Sequence, residues 1–456
     1  MRLYKNLIKA GMLGFIFAWA MTFGFRAESA SAKFVPKLFI GYNYNDNVGS
    51  VDPDLTDPVM MQWVDYLVGI DASVKSQYTL LTLGGSAGYS QYVDASTELK
   101  DLYDTSPSRF DYYNISLNGS FQYIRPDFAL EIADRVIRNR LISEIFQTEI
   151  SELSDIYLYT DNVASAGVRF RVGQPLSFLF RYEYETLIFE NPEIDVLTQP
   201  SDMTRHSGFA RIGYQISPRA EIALDLQGGQ IVYDDIKIEQ PDAPDLEMKI
   251  ADFNYYQALL GFGYRFTPNT TIQVSGGAEQ REYFGEPEGR DLENTLLPVG
   301  RVSFTSAQKD KYNLTVSGEY SQSKFGQNLF FTYYQGSASF TYYIGKTLYA
   351  SAGFIYKNDT FDRDRLDLNN VWSDDRQDQL YIGQGSITWD ALKKYDTPYL
   401  SFIAKYIYSL RDSNIDGELS DYVDNYPGVY YSYDTEIQMA MFQVSFNPAV
   451  FIGSSK

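Results

Sequence analysis

The chain contains no cysteine and only one histidine, His206, among its 456 residues. Without cysteine it cannot form a disulfide framework, a thiolate nucleophile or a Cys-ligated metal site. A single histidine excludes the multi-histidine metal centres, and we predict no cofactor. Positive charge is scarce as well, because 38 Lys and Arg residues stand against 59 acids and give a net charge of −21. Such a chain repels phosphate groups, so we expect no nucleic-acid partner.

Long apolar runs are equally scarce. The sequence contains one, and it lies at the N-terminus. A basic stretch, MRLYKNLIKA, precedes the apolar stretch GMLGFIFAWAMTFGF, and the small residues Ala30-Ser31-Ala32 follow. This order is typical of a secretory signal peptide, whereas a membrane-anchoring helix, the alternative, needs about 20 apolar residues. We predict a signal peptide over residues 1–32, cleaved after Ala32, and one domain over residues 33–456. No linker or shift in composition divides that domain.

Aromatic residues and glycine are abundant, with 39 Tyr, 30 Phe and 33 Gly. From Leu38 onward, apolar and polar residues alternate with period two in segments that turn residues separate. In one such segment Phe178, Phe180, Tyr182 and Tyr184 alternate with polar or charged residues. The apolar face mixes Gly and Ala with aromatic residues, which is typical of strands that face lipid.

We count about eighteen strands, the first over residues 38–46, with sixteen as the alternative count. Their connections alternate between short turns and long acidic loops. Bacterial outer-membrane barrels have an even strand number, short periplasmic turns and long extracellular loops. The sequence therefore predicts an all-β fold, a transmembrane antiparallel up-and-down β-barrel in the bacterial outer membrane.

The polar face of the strands is predicted to line the lumen. Charges of both signs on that face imply water, because unpaired ions in a dry interior cost several kcal/mol each. We expect these residues to set the selectivity of a channel, the alternative being that they pair and stiffen the wall. The predicted lumen residues are Arg135, Arg169, Arg171, Arg181, Arg211, Arg301, Lys405, Glu131, Glu183, Glu185, Glu221, Asp225, Glu279 and Glu319. By contrast, Tyr112, Tyr123 and Tyr182 are expected to belong to the outer aromatic girdle.

Catalysis is not indicated by the single histidine. Ser207 directly follows His206, and consecutive residues of a strand face opposite sides, so the two side chains cannot act together. We predict that the protein is not an enzyme and that His206 lies at the rim.

A weak cation site is the remaining candidate for bound metal. Several aspartates follow one another in a long connection: Asp362, Asp364, Asp367, Asp374 and Asp375. Spaced carboxylates bind calcium, but the glycine and terminal glutamate of an EF-hand are missing, so a solvated loop is the alternative. Divalent cations held by acidic loops would bridge to lipopolysaccharide phosphates.

Residues 38–48, LFIGYNYNDNV, resemble the first strand of the β-barrel porin 2 family. The resemblance implies an outer-membrane barrel, and members of that family are often linked to exopolysaccharide loci. Many outer-membrane barrels end in an aromatic residue, whereas this chain ends Ile452-Gly453-Ser454-Ser455-Lys456, which leaves Phe446 or Phe451 as the assembly signal.

These observations predict a channel for hydrophilic solutes, in its narrower form an exit pore for a secreted polysaccharide. The alternative is a structural or adhesive barrel whose acidic loops bind cations or a surface partner. The expected partners are outer-membrane lipid, lipopolysaccharide and the barrel-assembly machinery, with a periplasmic polysaccharide-export protein for the exit pore.

Overall fold

A computed structural model of the chain describes most of the predicted barrel domain. The described residues are 31–46, 60–95, 111–140, 158–190, 202–234, 236–238, 246–248, 252–284, 294–322, 331–361, 377–394, 397–413, 435–448 and 450–452. The predicted signal peptide lies outside them apart from Ser31 and Ala32, and its cleavage stays a prediction. Within the described ranges, no helix is long and apolar enough to cross a membrane.

Eighteen long strands form the wall, which confirms the predicted fold class and strand count. They are β1 (Ser31–Asn45), β2 (Met61–Lys75), β3 (Thr79–Ala95), β4 (Tyr112–Arg125), β5 (Phe128–Arg140), β6 (Leu158–Val172), β7 (Leu176–Glu190), β8 (Met203–Ser217), β9 (Ala220–Tyr233), β12 (Asp252–Thr267), β13 (Thr270–Phe284), β14 (Thr295–Gln308), β15 (Tyr312–Gln322), β16 (Phe331–Tyr343), β17 (Leu348–Phe361), β18 (Gln377–Lys394), β19 (Thr397–Ser413) and β20 (Thr435–Phe446). Three short strands complete the set: β10 (Ile236–Ile238) and β11 (Leu246–Met248) form a separate hairpin, and β21 (Val450–Ile452) follows β20.

The wall is antiparallel throughout and closes on itself. Each long strand pairs with its neighbours in the sequence, and β9 pairs with β12 across the β10–β11 hairpin. Closure comes from β1, which pairs with β2 on one side and with β20 on the other, from Leu38 opposite Phe446 to Asn45 opposite Met439. Just beyond β1, the Asp46 carboxylate accepts a hydrogen bond from the backbone N–H of Gln438 at 2.6 Å. Burial raises the pKa of the Asp46 carboxyl group. A closed wall leaves no unpaired sheet edge.

The first strand begins at Ser31, seven residues before the predicted segment 38–46. The prediction is wrong here because Pro36 and two lysines interrupt the alternation of apolar and polar residues. Pro36 lacks an amide hydrogen and is tolerated only where the sheet does not need one. Such a place exists here: pairing of β1 with β21 ends at Phe34, and pairing with β20 begins at Leu38. The proline therefore lies opposite the break between the last two strands.

Connections alternate in length around the barrel, as predicted. On one side they contain two to four residues, and on the other side eight or more. The short side includes a turn at Gly173, whose φ of 66° lies in the left-handed region that glycine adopts without steric cost. In outer-membrane barrels the short side is periplasmic, so we call the long side the outer end.

The outward face of the wall is apolar. Along β2, Tyr66, Val68 and Ile70 alternate with inward residues and are 43%, 59% and 50% exposed. Such side chains repeat on every long strand, so the whole outer belt offers apolar surface to its surroundings. A soluble monomer rarely exposes so much, whereas a membrane-spanning barrel requires it.

One carboxylate interrupts this apolar belt near the middle of β5. Asp134 shares the outer face with Ile132, which is 41% exposed, and pairs across the sheet with Gly119 and Ala164. Its Oδ1 accepts a hydrogen bond from Asn162 Nδ2 at 3.4 Å. Polar groups that face hydrocarbon cost free energy unless they are fully paired.

We expect the double replacement Asp134→Leu with Asn162→Val to raise the free energy of unfolding by about 1–2 kcal/mol, because it removes this polar pair from the lipid face. Urea unfolding of the barrel in lipid vesicles measures the change. Glu131→Leu is the matched control, since Glu131 lies on the inner face of the same strand and should bring no gain. A double variant no more stable than the wild type would contradict the prediction.

Candidate functional site

The inner face of the barrel carries the candidate site. Strand pairing places all fourteen predicted lumen residues on this face; for example, Glu183 lies opposite Ser207, and Arg211 lies opposite Asp225. Their role in selectivity stays a prediction. The structure also adds inward charged residues that the sequence analysis did not single out: Lys37, Asp65, Asp71, Asp161, Arg205, Arg281, Lys357, Asp359, Asp378, Asp390 and Arg411.

Many inward charges form ion pairs, and several of these pairs join neighbouring strands. Arg205 Nη2 lies 2.9 Å from Glu183 Oε1 and also contacts Glu185. Arg135 Nη2 lies 2.9 Å from Asp161 Oδ2. In both cases the missed residue is the partner of a predicted one, because the register that brings them together is not visible in the sequence.

Two of the inward ion pairs are partly exposed to solvent. Arg211 bridges Glu221 at 3.2 Å and Asp225 at 3.3 Å, and its side chain is 38% exposed. Arg301 Nε lies 3.0 Å from Glu319 Oε1, with both side chains more than a third exposed. These residues place charges of both signs, partly exposed, on the inner face.

Three predicted arginines have no such partner. Arg169, Arg171 and Arg181 lie on the adjacent strands β6 and β7 near the short-turn end, and their side chains are exposed. Within the described part of the chain, none of the three side chains forms an ion pair. Arg169 and Arg171 also line a depression of about 400 Å³ at this mouth, together with Arg125 and Asp127. The result is a local excess of positive charge inside an acidic protein.

The inner wall changes character towards the outer end. Many inward residues there are apolar and buried, such as Trp63 at 4%, Leu187 at 2% and Ile231 at 0% exposure, and they lie among buried charged residues such as Asp359 and Asp378. They recur on strands all around the barrel: Met61, Tyr92, Tyr112, Tyr159, Phe189, Met203, Tyr233, Phe253, Tyr255, Tyr283, Tyr333, Leu380, Ile382, Ile407, Ile437 and Met439. Side chains that face open water would be exposed, so this half does not line a wide water-filled passage.

The buried inward residues in the half of the barrel near the outer end, which we call the outer half, correct one expectation. Tyr112 was expected on the outer girdle, but it faces inward, is 9% exposed and packs with Trp63 and Tyr92. Tyr182 does lie on the outer face, 50% exposed. The alternation at the start of β4 is ambiguous because Tyr112 and Tyr113 are both aromatic, and only the register separates them.

A buried ionic cluster borders this apolar region. Arg281 and Glu279 are 1% and 0% exposed, with Arg281 Nε 2.9 Å from Glu279 Oε1. Gln257 Nε2 donates to Glu279 Oε2 at 2.9 Å, and Arg281 Nη2 donates to the Gln322 carbonyl at 3.0 Å. The cluster connects β12, β13 and β15. Glu279 was predicted to face the water of the lumen, but its carboxylate is buried and stabilises the wall instead.

The single histidine lies on the outer face, with its Nδ1 2.7 Å from the Tyr182 hydroxyl. Ser207 is on the inner face, so the two side chains diverge as the sequence analysis expected. The predicted cation residues Asp362, Asp364, Asp367, Asp374 and Asp375 fall outside the described residues. Among the described residues, no cluster of His, Asp or Glu has the arrangement of a metal site.

Comparisons with known proteins give a fold likeness only. No family model matches the chain, so the resemblance to the porin 2 family stays unconfirmed, and no curated protein matches either. Among solved structures, OccK3 (OpdO) of Pseudomonas aeruginosa shares 9% identity over 93% of this chain and 97% of its own, with a TM-score of 0.45. OccAB4 of Acinetobacter baumannii shares 10% over 93% and 99%, with a TM-score of 0.47. The outer membrane protein opdK of P. aeruginosa shares 10% over 93% and 100%, with a TM-score of 0.44. At these values the likeness says nothing about what this chain transports.

Proposed function

We propose that the protein is a non-enzymatic, porin-like channel for hydrophilic solutes in the bacterial outer membrane. The observation that carries the proposal is the contrast between an apolar outer face and an ionic inner face in one closed wall. The outer face fits a bilayer, and an eighteen-stranded wall encloses more space than its own side chains fill.

The inner charges support passage of polar solutes. Arg211, Arg301 and Glu319 keep a third or more of their side chains exposed while they are paired. Exposed ion pairs contribute little to stability, so stiffening of the wall is a weak reason for them. In a solvated lumen they place fixed positive and negative groups along the path of a solute.

The outer half sets the width of the path. Its inward side chains are almost wholly buried, so a solute would cross a narrower passage there than at the short-turn mouth. The proposed channel is therefore a selective one with a small conductance, not a wide unselective pore.

Planar-bilayer recording of the purified full-length protein tests the channel. We expect discrete conductance steps in KCl, smaller than those of an open barrel of equal strand number, because of the narrow outer half. Purified protein folded as a barrel but silent at all voltages and salt concentrations would exclude a diffusion channel and favour a structural or adhesive barrel.

Exit of a secreted polysaccharide is the narrower form of the proposal. It is supported by the resemblance of residues 38–48 to the porin 2 family, and it implies a periplasmic export partner. A channel for smaller solutes needs no such partner. The proposal for the lumen residues is the same in either form.

A further inference from the structure

The outer wall contains a groove that neither channel function nor wall stability explains. It has a volume of about 940 Å³ and crosses strands β5 to β14. Its large apolar side chains belong to the lipid-facing surface and include Phe180, Leu226 and Leu296, which are 44%, 40% and 71% exposed. The groove is therefore part of the membrane-contacting face, not of the lumen.

Strand register shows how the groove arises. Five outward-facing residues on neighbouring strands are paired with one another in a row across the wall: Ala166, Tyr182, Gly208, Gly228 and Tyr256. Two adjacent strands in this row thus carry no side chain between two tyrosines. In the row nearer the short turns, the three alanines Ala210, Ala258 and Ala278 leave space beside the larger Phe180 and Leu226.

The two glycines are not required by the backbone. Neither has a positive φ; among the described residues the only glycine that does is Gly173. A Cβ added at Gly208 would come no closer than 3.9 Å to another atom, and one at Gly228 no closer than 3.5 Å. Gly277 differs, because a Cβ there would lie 1.8 Å from the Ala258 carbonyl oxygen. Glycine weakens a strand, so its presence at Gly208 and Gly228 needs another reason.

The row nearer the outer end is polar. It contains His206, Gln230, Asn254 and Glu282 on successive strands of the same outer face. Gln230 Nε2 donates to Asn254 Oδ1 at 3.4 Å, and Gln280, at the edge of the groove, donates to Glu282 Oε1 at 3.1 Å. A second depression of about 430 Å³ lies among Gln230, Asn254, Glu282 and Asn294. Apolar and polar surfaces therefore follow one another towards the outer end.

We propose that this groove is a binding site for one acyl chain of an outer-leaflet glycolipid, with the aminosugar headgroup seated in the polar depression. The groove continues the apolar belt with which lipid is already in contact, and it lies in the half of the wall nearer the outer end. The polar depression presents a carboxylate and amide groups, which accept hydrogen bonds from sugar hydroxyls and amide N–H groups. Glu282 disfavours a headgroup that offers only an anionic phosphate.

The proposal concerns the outer wall and does not depend on conduction. A second copy of the chain would also cover apolar surface, but a flat wall would suit it better than a recess between two tyrosines. The committed occupant is therefore a lipid.

Native mass spectrometry of the full-length barrel in detergent tests the site, with hexa-acylated monophosphoryl lipid A as the probe and phosphatidylglycerol, which also carries one phosphate, as the comparison lipid. We expect the wild type to retain a single lipid A molecule in preference to phosphatidylglycerol. The double variant Gly208→Val with Gly228→Val fills the recess without a backbone clash and should lower lipid A retention by about tenfold, the loss expected for about two methylene groups of burial. Glu282→Gln tests the headgroup contact and should reduce the preference for lipid A.

Gly336→Val with Gly383→Val is the matched control, because both positions face outward on strands far from the groove and a Cβ there meets nothing within 4 Å. This control should retain lipid A as the wild type does. Equal retention by the groove variant, equal retention of both lipids by the wild type, or a dimer in place of the lipid complex would each overturn the proposal. Heat-modified gel mobility confirms that every variant is a folded barrel.

Discussion

Replacing Arg169, Arg171 and Arg181 together by glutamate is expected to reverse the ion preference of the channel. The three side chains are exposed on the inner face and form no ion pair with any described residue. Each substitution changes the local charge by two units at the short-turn mouth of the proposed channel. Because fixed charges in a lumen with low-dielectric walls attract counter-ions, the wild type should favour anions there and the variant cations. The reversal potential in a KCl gradient measures the preference, and its sign should change.

A matched control separates the lumen from the surface of the same end. Lys309→Glu, Lys311→Glu and Lys346→Glu change the charge by the same amount in two of the short turns, outside the strands that line the lumen. At 0.1 M salt the field of exposed turn charges is screened within about 10 Å, so this control should shift the reversal potential little. Equal shifts in the two triple variants would mean that net charge, not the inner arginines, governs selectivity.

The sequence predicts the wall well because alternation and turn chemistry are local signals. Eighteen strands and the alternation of short and long connections follow from them, and so does the inward face of all fourteen lumen residues. The predicted start of β1 is wrong by seven residues, because Pro36 breaks the alternation. The strand accommodates this proline where its pairing passes from β21 to β20. That change of pairing depends on residues more than 400 positions away, so no local pattern reveals it.

Partners within the lumen are beyond such local signals. Arg205 and Asp161 were missed because their importance comes from register, which places Arg205 against Glu183 and Glu185 and Asp161 against Arg135. The buried outer half was missed for a related reason. Near the outer end of β12, Phe253 and Tyr255 face inward while Tyr256 faces outward, so both faces are aromatic and period two carries no contrast.

Replacing Arg281 by methionine is expected to destabilise the barrel by about 3–5 kcal/mol, the cost of breaking a buried pair from one side. Arg281 and Glu279 are 1% and 0% exposed, so the change leaves the Glu279 carboxylate without its guanidinium partner in a region that water does not reach. Methionine keeps most of the volume over the Phe253 ring, which the guanidinium covers at 4.9 Å. Urea unfolding in lipid vesicles, followed by tryptophan fluorescence, measures the loss.

Two further variants separate burial from charge. Arg301→Met breaks a pair of the same kind whose side chains are 42% and 34% exposed, so the released Glu319 stays hydrated and the change should cost less than about 1 kcal/mol. Glu279→Gln added to Arg281→Met removes the buried charge that has lost its guanidinium partner and should restore much of the lost stability, because the burial of that charge rather than the pair's attraction dominates the cost. Similar losses of stability for Arg281→Met and Arg301→Met would show instead that the surroundings of Arg281 are as accessible to water as those of Arg301. The narrow passage inferred for the channel would then be wrong along with the stability prediction, since both rest on the same buried inner wall.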